Sequence, residues 1–345
     1  MSTISEAVTR AWYQNKKWVL LFLPLSFLFG IVSAVRKMCY QWGWLKRVRV
    51  SAPVIIVGNI SVGGTGKSPV TGYLAAELKR RGYKPGIVSR GYGGKSNHYP
   101  TIVEKGALAA EVGDEPIMLH QMTECPVAVD PVRSRAAEKL CVEYGCDLII
   151  CDDGLQHYAL HRNVEICVID GERGLGNGHL LPVGPLRESE SRISSVDFVI
   201  VNGRSGPLSV FENMPHKHTV FEMSLKPVKL VNVYDDRELP IAYLKGREVH
   251  AVAGIGNPER FFLALKGLGA NVNPHSFPDH HDFGCEDLQF DDNKDVIMTH
   301  KDAVKCKLLF RGNKPENVWY MPVAAELNNT FMDTLCNKLD TIDDG

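Results

Sequence analysis

The chain has 345 residues, enough for about two domains with a sizeable core in each. Its 39 Lys and Arg against 40 Asp and Glu argue against a broadly basic, nucleic-acid-binding surface. Its nine scattered cysteines contain no CxxC pair, which points to reduced, mostly buried thiols rather than a zinc module or a disulfide framework.

The charge is unevenly placed. The first 50 residues hold eight bases (Arg10, Lys16, Lys17, Arg36, Lys37, Lys46, Arg47, Arg49) and one acid, Glu6, leaving 31 basic against 39 acidic residues elsewhere. An anionic membrane surface is the first candidate partner for this segment. Within it, Trp18 to Val35 carries no charge. At about 1.5 Å per residue it makes roughly 27 Å of helix, just short of a comfortable span. Lys16 and Lys17 precede it and Arg36 and Lys37 follow it, so the one-sided bias of a spanning helix is missing. Ser26, Gly30 and Ser33 form one small, weakly polar stripe. A helix lying in the interface fits best. A true span, a signal peptide with the small-residue exit Val32 to Ala34, and a buried core helix are the alternatives.

After Lys46 short apolar runs alternate with amphipathic stretches. Pro53–Val57, Gly86–Val88, Pro126–Asp130, Asp147–Asp153, Glu165–Asp170 and Asp197–Asn202 read as buried strands. Val70–Arg81 and Arg135–Tyr144 read as helices between them. The pattern predicts an α/β fold with a parallel-rich sheet and a ligand site at the carboxyl ends of the strands.

The first strand runs into SVGGTGKS, Ser61 to Ser68. A phosphate-binding loop between strand and helix needs backbone N–H groups that crowd around a phosphate, which Gly63, Gly64 and Gly66 permit. Ser61, Val62 and Thr65 complete the loop, Lys67 brings mobile positive charge, and Ser68 offers a hydroxyl to Mg²⁺. Ser61 replaces the motif's usual first glycine, but that position only begins the turn. Pro69 is tolerated because the first helical turn has no N–H bond to lose. Such a site needs an acid to place the metal, and the apolar run Leu148–Cys151 ends in Asp152 and Asp153, either of which could serve.

Further along lie SRGYGG (Ser89–Gly94), VGDEP (Val112–Pro116), DDGLQH (Asp152–His157), GNGHLLPVGPLRE (Gly176–Glu188) and FPDHHDF (Phe277–Phe283). In this order, with the phosphate loop, they resemble the tetraacyldisaccharide 4'-kinase family of lipid A biosynthesis, from the apolar helix to Thr299–Lys305. The resemblance implies an ATP- and Mg²⁺-dependent kinase that phosphorylates the 4'-hydroxyl of an acylated glucosamine disaccharide 1-phosphate. It would work at the cytoplasmic face of the bacterial inner membrane, with no obligate protein partner and no nucleic acid. It also implies two α/β domains joined by a two-stranded linker with the site between them. The expected division is a membrane-interface segment 1–45, a P-loop kinase domain 46–225, a linker within 226–246 and a smaller α/β domain 247–345.

Asp114 matches the family's general base and His280 the histidine paired with it, while Arg187 and Glu188 match residues near the phosphates and metal. From the residues alone, Asp114 reads rather as a helix N-cap before Pro116, and His280 with His281 as a metal pair lacking a third ligand. The rival function is a membrane-tethered P-loop GTPase. It needs a guanine-reading [NT]-K-x-D, and Thr299–Asp302 (THKD) has those residues at the wrong spacing.

Overall fold

The computed structural model describes residues 4–203, 220–310 and 314–343; residues 1–3, 204–219, 311–313 and 344–345 of the expected segments lie outside it. The chain opens with helix α1 (Ile4–Tyr13), a 3₁₀ turn (Lys17–Phe22) and helix α2 (Leu23–Gln41). It then enters an alternating series: β1 (Val54–Gly58), α3 (Lys67–Arg80), β2 (Pro85–Ser89), β3 (Thr101–Ile102), α4 (Ala109–Val112), α5 (Asp114–Thr123), β4 (Val127–Val129), α6 (Arg133–Tyr144), β5 (Leu148–Cys151), β6 (Val164–Asp170), β7 (Phe198–Asn202) and β8 (Val220–Pro227).

Side chains of a strand alternate between faces, and here both faces are buried. Ile55, Val57, Ile150, Ile166 and Val168 meet Leu74, Leu78 and Leu119 on one side. Val54, Ile56, Ile149, Cys167 and Ile169 meet Ala136, Ala137 and Leu140 on the other. β1 lies between β5 and β6 and pairs with both in parallel. The strand order reverses at that point, which puts the crevice at the carboxyl end of β1, where the phosphate loop begins.

The second sheet comprises β9 (Leu230–Asn232), β10 (Glu238–Leu239), β11 (Glu248–Ala253), β12 (Asn271–Ser276), β13 (Asp295–Thr299) and β14 (Val318–Met321), in the order β10-β9-β14-β13-β11-β12. Helix α7 (Pro258–Gly267) covers one face with Phe261, Phe262 and Leu265. Helix α8 (His300–Cys306) covers the other with Ala303 and Cys306.

The structure redraws the expected division in two places. β15 (Val323–Leu327) pairs antiparallel with β8, and helix α9 (Asn329–Asp343) buries Phe331, Met332, Leu335 and Leu339 against the first sheet, so the end of the chain does not lie in the smaller domain. The two connecting strands are β8 and β15, whereas Leu230–Asn232 and Glu238–Leu239, expected in the linker, already belong to the second sheet. The physical reason is a hydrophobic one: Phe331 packs on Phe198 and Phe221, while α7 and α8 already cover the two faces of the second sheet.

At the N-terminus, Ser26 donates to the Leu180 carbonyl at 2.9 Å, and a Cβ on Gly30 would stand 2.9 Å from Leu180 Cδ1. The small stripe therefore faces the protein. Trp12 and Val19 pack on Val183, beside Val62 of the phosphate loop. Leu21 and Phe27 remain 81% and 72% exposed. Lys17–Gln41 is long and apolar enough to cross a membrane, and little of it is buried, which disagrees with the core-helix alternative.

Candidate active site

Ser61 takes part in a bridge with Leu186, Val62 N–H donates to the Pro185 carbonyl at 2.8 Å, and Arg187 N–H donates to Ile60 O at 2.7 Å. This pinned, extended start has no left-handed residue, so serine suffices there. The left-handed turns fall on Gly63 and Gly66; at Gly66, φ is +96° and a Cβ would come within 2.5 Å of Asn202 Nδ2. Asn59 donates to Thr65 Oγ1 at 3.2 Å and Asn202 to Thr65 O at 3.0 Å, so two buried amides brace the loop from strand ends. Lys67 and Ser68 open α3 directly behind it.

The paired acids take different roles. Asp152 is buried; one oxygen accepts from Thr71 Oγ1 at 2.9 Å, and the other has no partner. Burial, reinforced by Glu115, pushes its carboxyl up to about 7. Asp153, with a left-handed φ of +48°, accepts from Arg187 Nη1 at 3.1 Å and lies 3.6 Å from Lys67 Nζ. Burial works against ionisation there, but Lys67 and Arg187 outweigh it and hold the carboxyl at about 2. A buried carboxylate oxygen without a partner, next to the Ser68 helix start, suits a divalent cation. Glu188 is held beside the start of the loop: Gln156, which also donates to Asn59 O, donates to it at 3.0 Å, Tyr158 bonds its other oxygen, and Arg192 lies 3.6 Å away.

Asp114 is the first residue of α5, where its Oδ1 still accepts the Glu115 N–H at 2.9 Å, and the N-cap position is Gly113, one residue earlier than the capping alternative had it. The backbone needs glycine there: φ is +89°, and a Cβ would lie 2.7 Å from Tyr92 O. Its carboxylate is almost fully buried and meets His280 Nδ1 at 3.2 Å, across 166 residues of sequence and from the other sheet's side of the cleft. Burial alone would raise this carboxyl, but the His280 hydrogen bond and the charge of Lys301 outweigh it and hold it below its ordinary value. His280 has φ +61°, a costly conformation for a non-glycine residue and one that concentrates at functional sites. The Tyr92 ring stands 4.9 Å from the imidazole. His281 turns away to Asp287 at 2.9 Å, so the two histidines do not form a metal pair. Asp114 and His280 line one cleft of about 1410 Å³ with Pro69 and Gly72 of α3. Thr299 and Asp302 instead cap α8, and Asp302 accepts from Gly254 N–H at 3.0 Å, so THKD is a structural turn.

The profile of the family described as Tetraacyldisaccharide-1-P 4'-kinase matches residues 18–340. The chain belongs to that kinase family. The kinase is 46% identical to the tetraacyldisaccharide 4'-kinase of Methylobacillus flagellatus over 339 residues, covering 98% of this chain and 97% of the relative. It is 48% identical to that of Alkalilimnicola ehrlichii over 304 residues, 88% and 87% of the two chains. Its fold is similar to that of LpxK from Aquifex aeolicus, solved in complex with ATP, with TM-score 0.76, 31% identity and coverage of 93% and 99%.

Several site residues of the kinase escaped the sequence reading. Asn59, Asp170 and Asn202 are buried polar groups at the carboxyl ends of apolar strands, a signal the strand-end rule could have used. Arg260 of α7 reaches Asn202 at 2.7 Å and Asp170 at 3.7 Å, and Arg173 reaches Gly256 O at 2.9 Å, so both tie the second sheet's side to the phosphate loop. Isolated arginines on an amphipathic helix or in a loop carry no pattern that sequence could reveal.

Proposed function

We propose that this kinase transfers the γ-phosphoryl group of ATP to the 4'-hydroxyl of a tetraacylated glucosamine disaccharide 1-phosphate, giving the bisphosphorylated lipid A precursor. The carrying observation is the Asp114–His280 contact, which sets a carboxylate in the same cleft as the start of the phosphate-loop helix. The residues from Ser61 to Ser68 hold the ATP phosphates, and Lys67 leaves Asp153 to neutralise the transferred group. Ser68, Asp152 and Asp153 would hold Mg²⁺, with Glu188 nearby in sequence to Arg187; bound there, the ion neutralises charge on the phosphate oxygens. Asp114 accepts the hydroxyl proton as the sugar oxygen bonds to phosphorus and the bond to the ADP oxygen breaks. His280 orients that base. Arg173 and Arg260 keep the second domain against the loop and help exclude water.

The lipid is met at the cytoplasmic face of the inner membrane. Exposed Trp18, Leu21, Leu25 and Phe27 form an apolar surface, and Lys16, Lys17, Arg36 and Lys37 border it in sequence, which suits a helix seated in an anionic interface. Incubation with γ-labelled ATP and the acylated disaccharide 1-phosphate tests the reading: label enters the lipid, ATP but not GTP competes well, and absence of label from the lipid rejects it.

A further inference from the structure

Lys301, on α8, lies in a largely enclosed position with Nζ 3.3 Å from His280 Nε2, 3.3 Å from Asp279 Oδ1 and 3.5 Å from Glu115 Oε1. An ammonium group has only donors. The Nε2 atom that faces it must therefore present its lone pair, which places the imidazole hydrogen on Nδ1, the atom 3.2 Å from Asp114 Oδ2. We propose that Lys301 is a positioning residue: it fixes His280 in the tautomer whose Nδ1–H points at Asp114, so that His280 aims the base without competing for the substrate proton. The inference rests on the kinase reading above and names what sets the geometry of its base.

The groups around the imidazole agree with this assignment. Asp114 and Glu115 approach from α5, Asp279 comes from its own loop at 3.9 Å, Lys301 comes from α8, and the Tyr92 ring covers it at 4.9 Å. Lys305, the other base of α8, is engaged by His281 O at 2.9 Å and Asp302 at 3.0 Å and leaves Nε2 to Lys301. Burial acts to neutralise the Lys301 amine, but Glu115, Asp114 and Asp279 more than offset it and keep it charged. A competing role is a plain clamp between Glu115 of the first domain and Asp279 of the second. A clamp requires no contact with Nε2 and predicts no effect on the histidine's tautomer.

His280, Lys301 and Lys305 together hold Asp114 below its ordinary pKa, and loss of Lys301 removes the larger of the two lysine influences, so the acidic limb of the rate profile must move to higher pH. The experiment uses the full chain, ATP and the acylated disaccharide 1-phosphate in detergent micelles. It records kcat against pH for the native protein, Lys301→Met and Lys301→Arg, with ¹⁵N imidazole spectra of His280 in each. Lys301→Met should lower kcat by about 10–100-fold, less than the roughly 10²–10⁴ of the acid–base group it positions, with the KM for ATP nearly unchanged. Its acidic limb should move up in pH and its His280 should lose the pure Nδ1–H signature, whereas Lys301→Arg should retain both. An unshifted limb together with an unchanged tautomer in Lys301→Met overturns the proposal, whatever happens to kcat. If the native protein phosphorylates no lipid, the kinase reading fails instead, and the tautomer of native His280 still decides what Lys301 does: an Nε2–H signature there overturns the proposal by itself.

Discussion

Ser61 shows how far single residues could be read. The loop's chemistry follows from its glycines, Lys67 and Ser68, and the structure puts the strained turns at Gly63 and Gly66 while leaving Ser61 extended. The Lys67–Asp153–Arg187 contacts could not be read, because they join three segments whose separation in sequence says nothing about distance. Lys67→Ala should reduce kcat by roughly 10²–10³, the usual loss when one charge-stabilising donor is removed. Steady-state kinetics with saturating lipid check this, and a near-native kcat would show that another loop does the chemistry. Ser61→Gly should leave kcat close to native, since nothing at that position requires a side chain.

At the scale of elements, the strands of the first sheet were legible because both faces are buried and each reads as a continuous apolar run. β15 and α9 were not. Their local pattern is that of any strand and amphipathic helix, and what assigns them to the first sheet is long-range: the β15 ladder with β8 and the packing of Phe331 on Phe198 and Phe221. Phe331→Ala should therefore cost about 3–5 kcal/mol of stability, as for other fully buried aromatics. Chemical denaturation with a probe in the first domain measures it, and a loss confined to the second domain would contradict the placement. Helix α2 was legible as apolar, and its small stripe was visible, but which way the stripe faced was not. Because Leu21 and Phe27 point outward, Leu21→Glu with Phe27→Glu should weaken sedimentation with anionic vesicles and raise the KM for lipid while leaving the thermal midpoint nearly unchanged. Unaltered vesicle binding would place the membrane contact elsewhere.

Across the whole molecule, function is assembled at the seam between two sheets. Arg173 reaches across from the first domain to Gly256, Arg260 reaches back from the second to Asn202, and Lys301 bridges Glu115 and Asp279. The existence of a nucleotide domain followed from strand, loop and helix order alone. The pairing of Asp114 with His280 came instead from resemblance to a family, because no periodicity links residues 166 apart and each had a sound local alternative as a cap or a ligand. The account's central claim is that these two side chains form one base unit across the cleft. A double-mutant cycle of Asp114→Ala and His280→Ala, read as kcat with ATP and lipid saturating, tests it most directly. Each single change should cost roughly 10²–10⁴, and the double variant should be little worse than the worse single one, with ATP affinity almost constant throughout. Losses that multiply in full, or a His280→Ala variant whose main defect is weakened ATP binding, would contradict it.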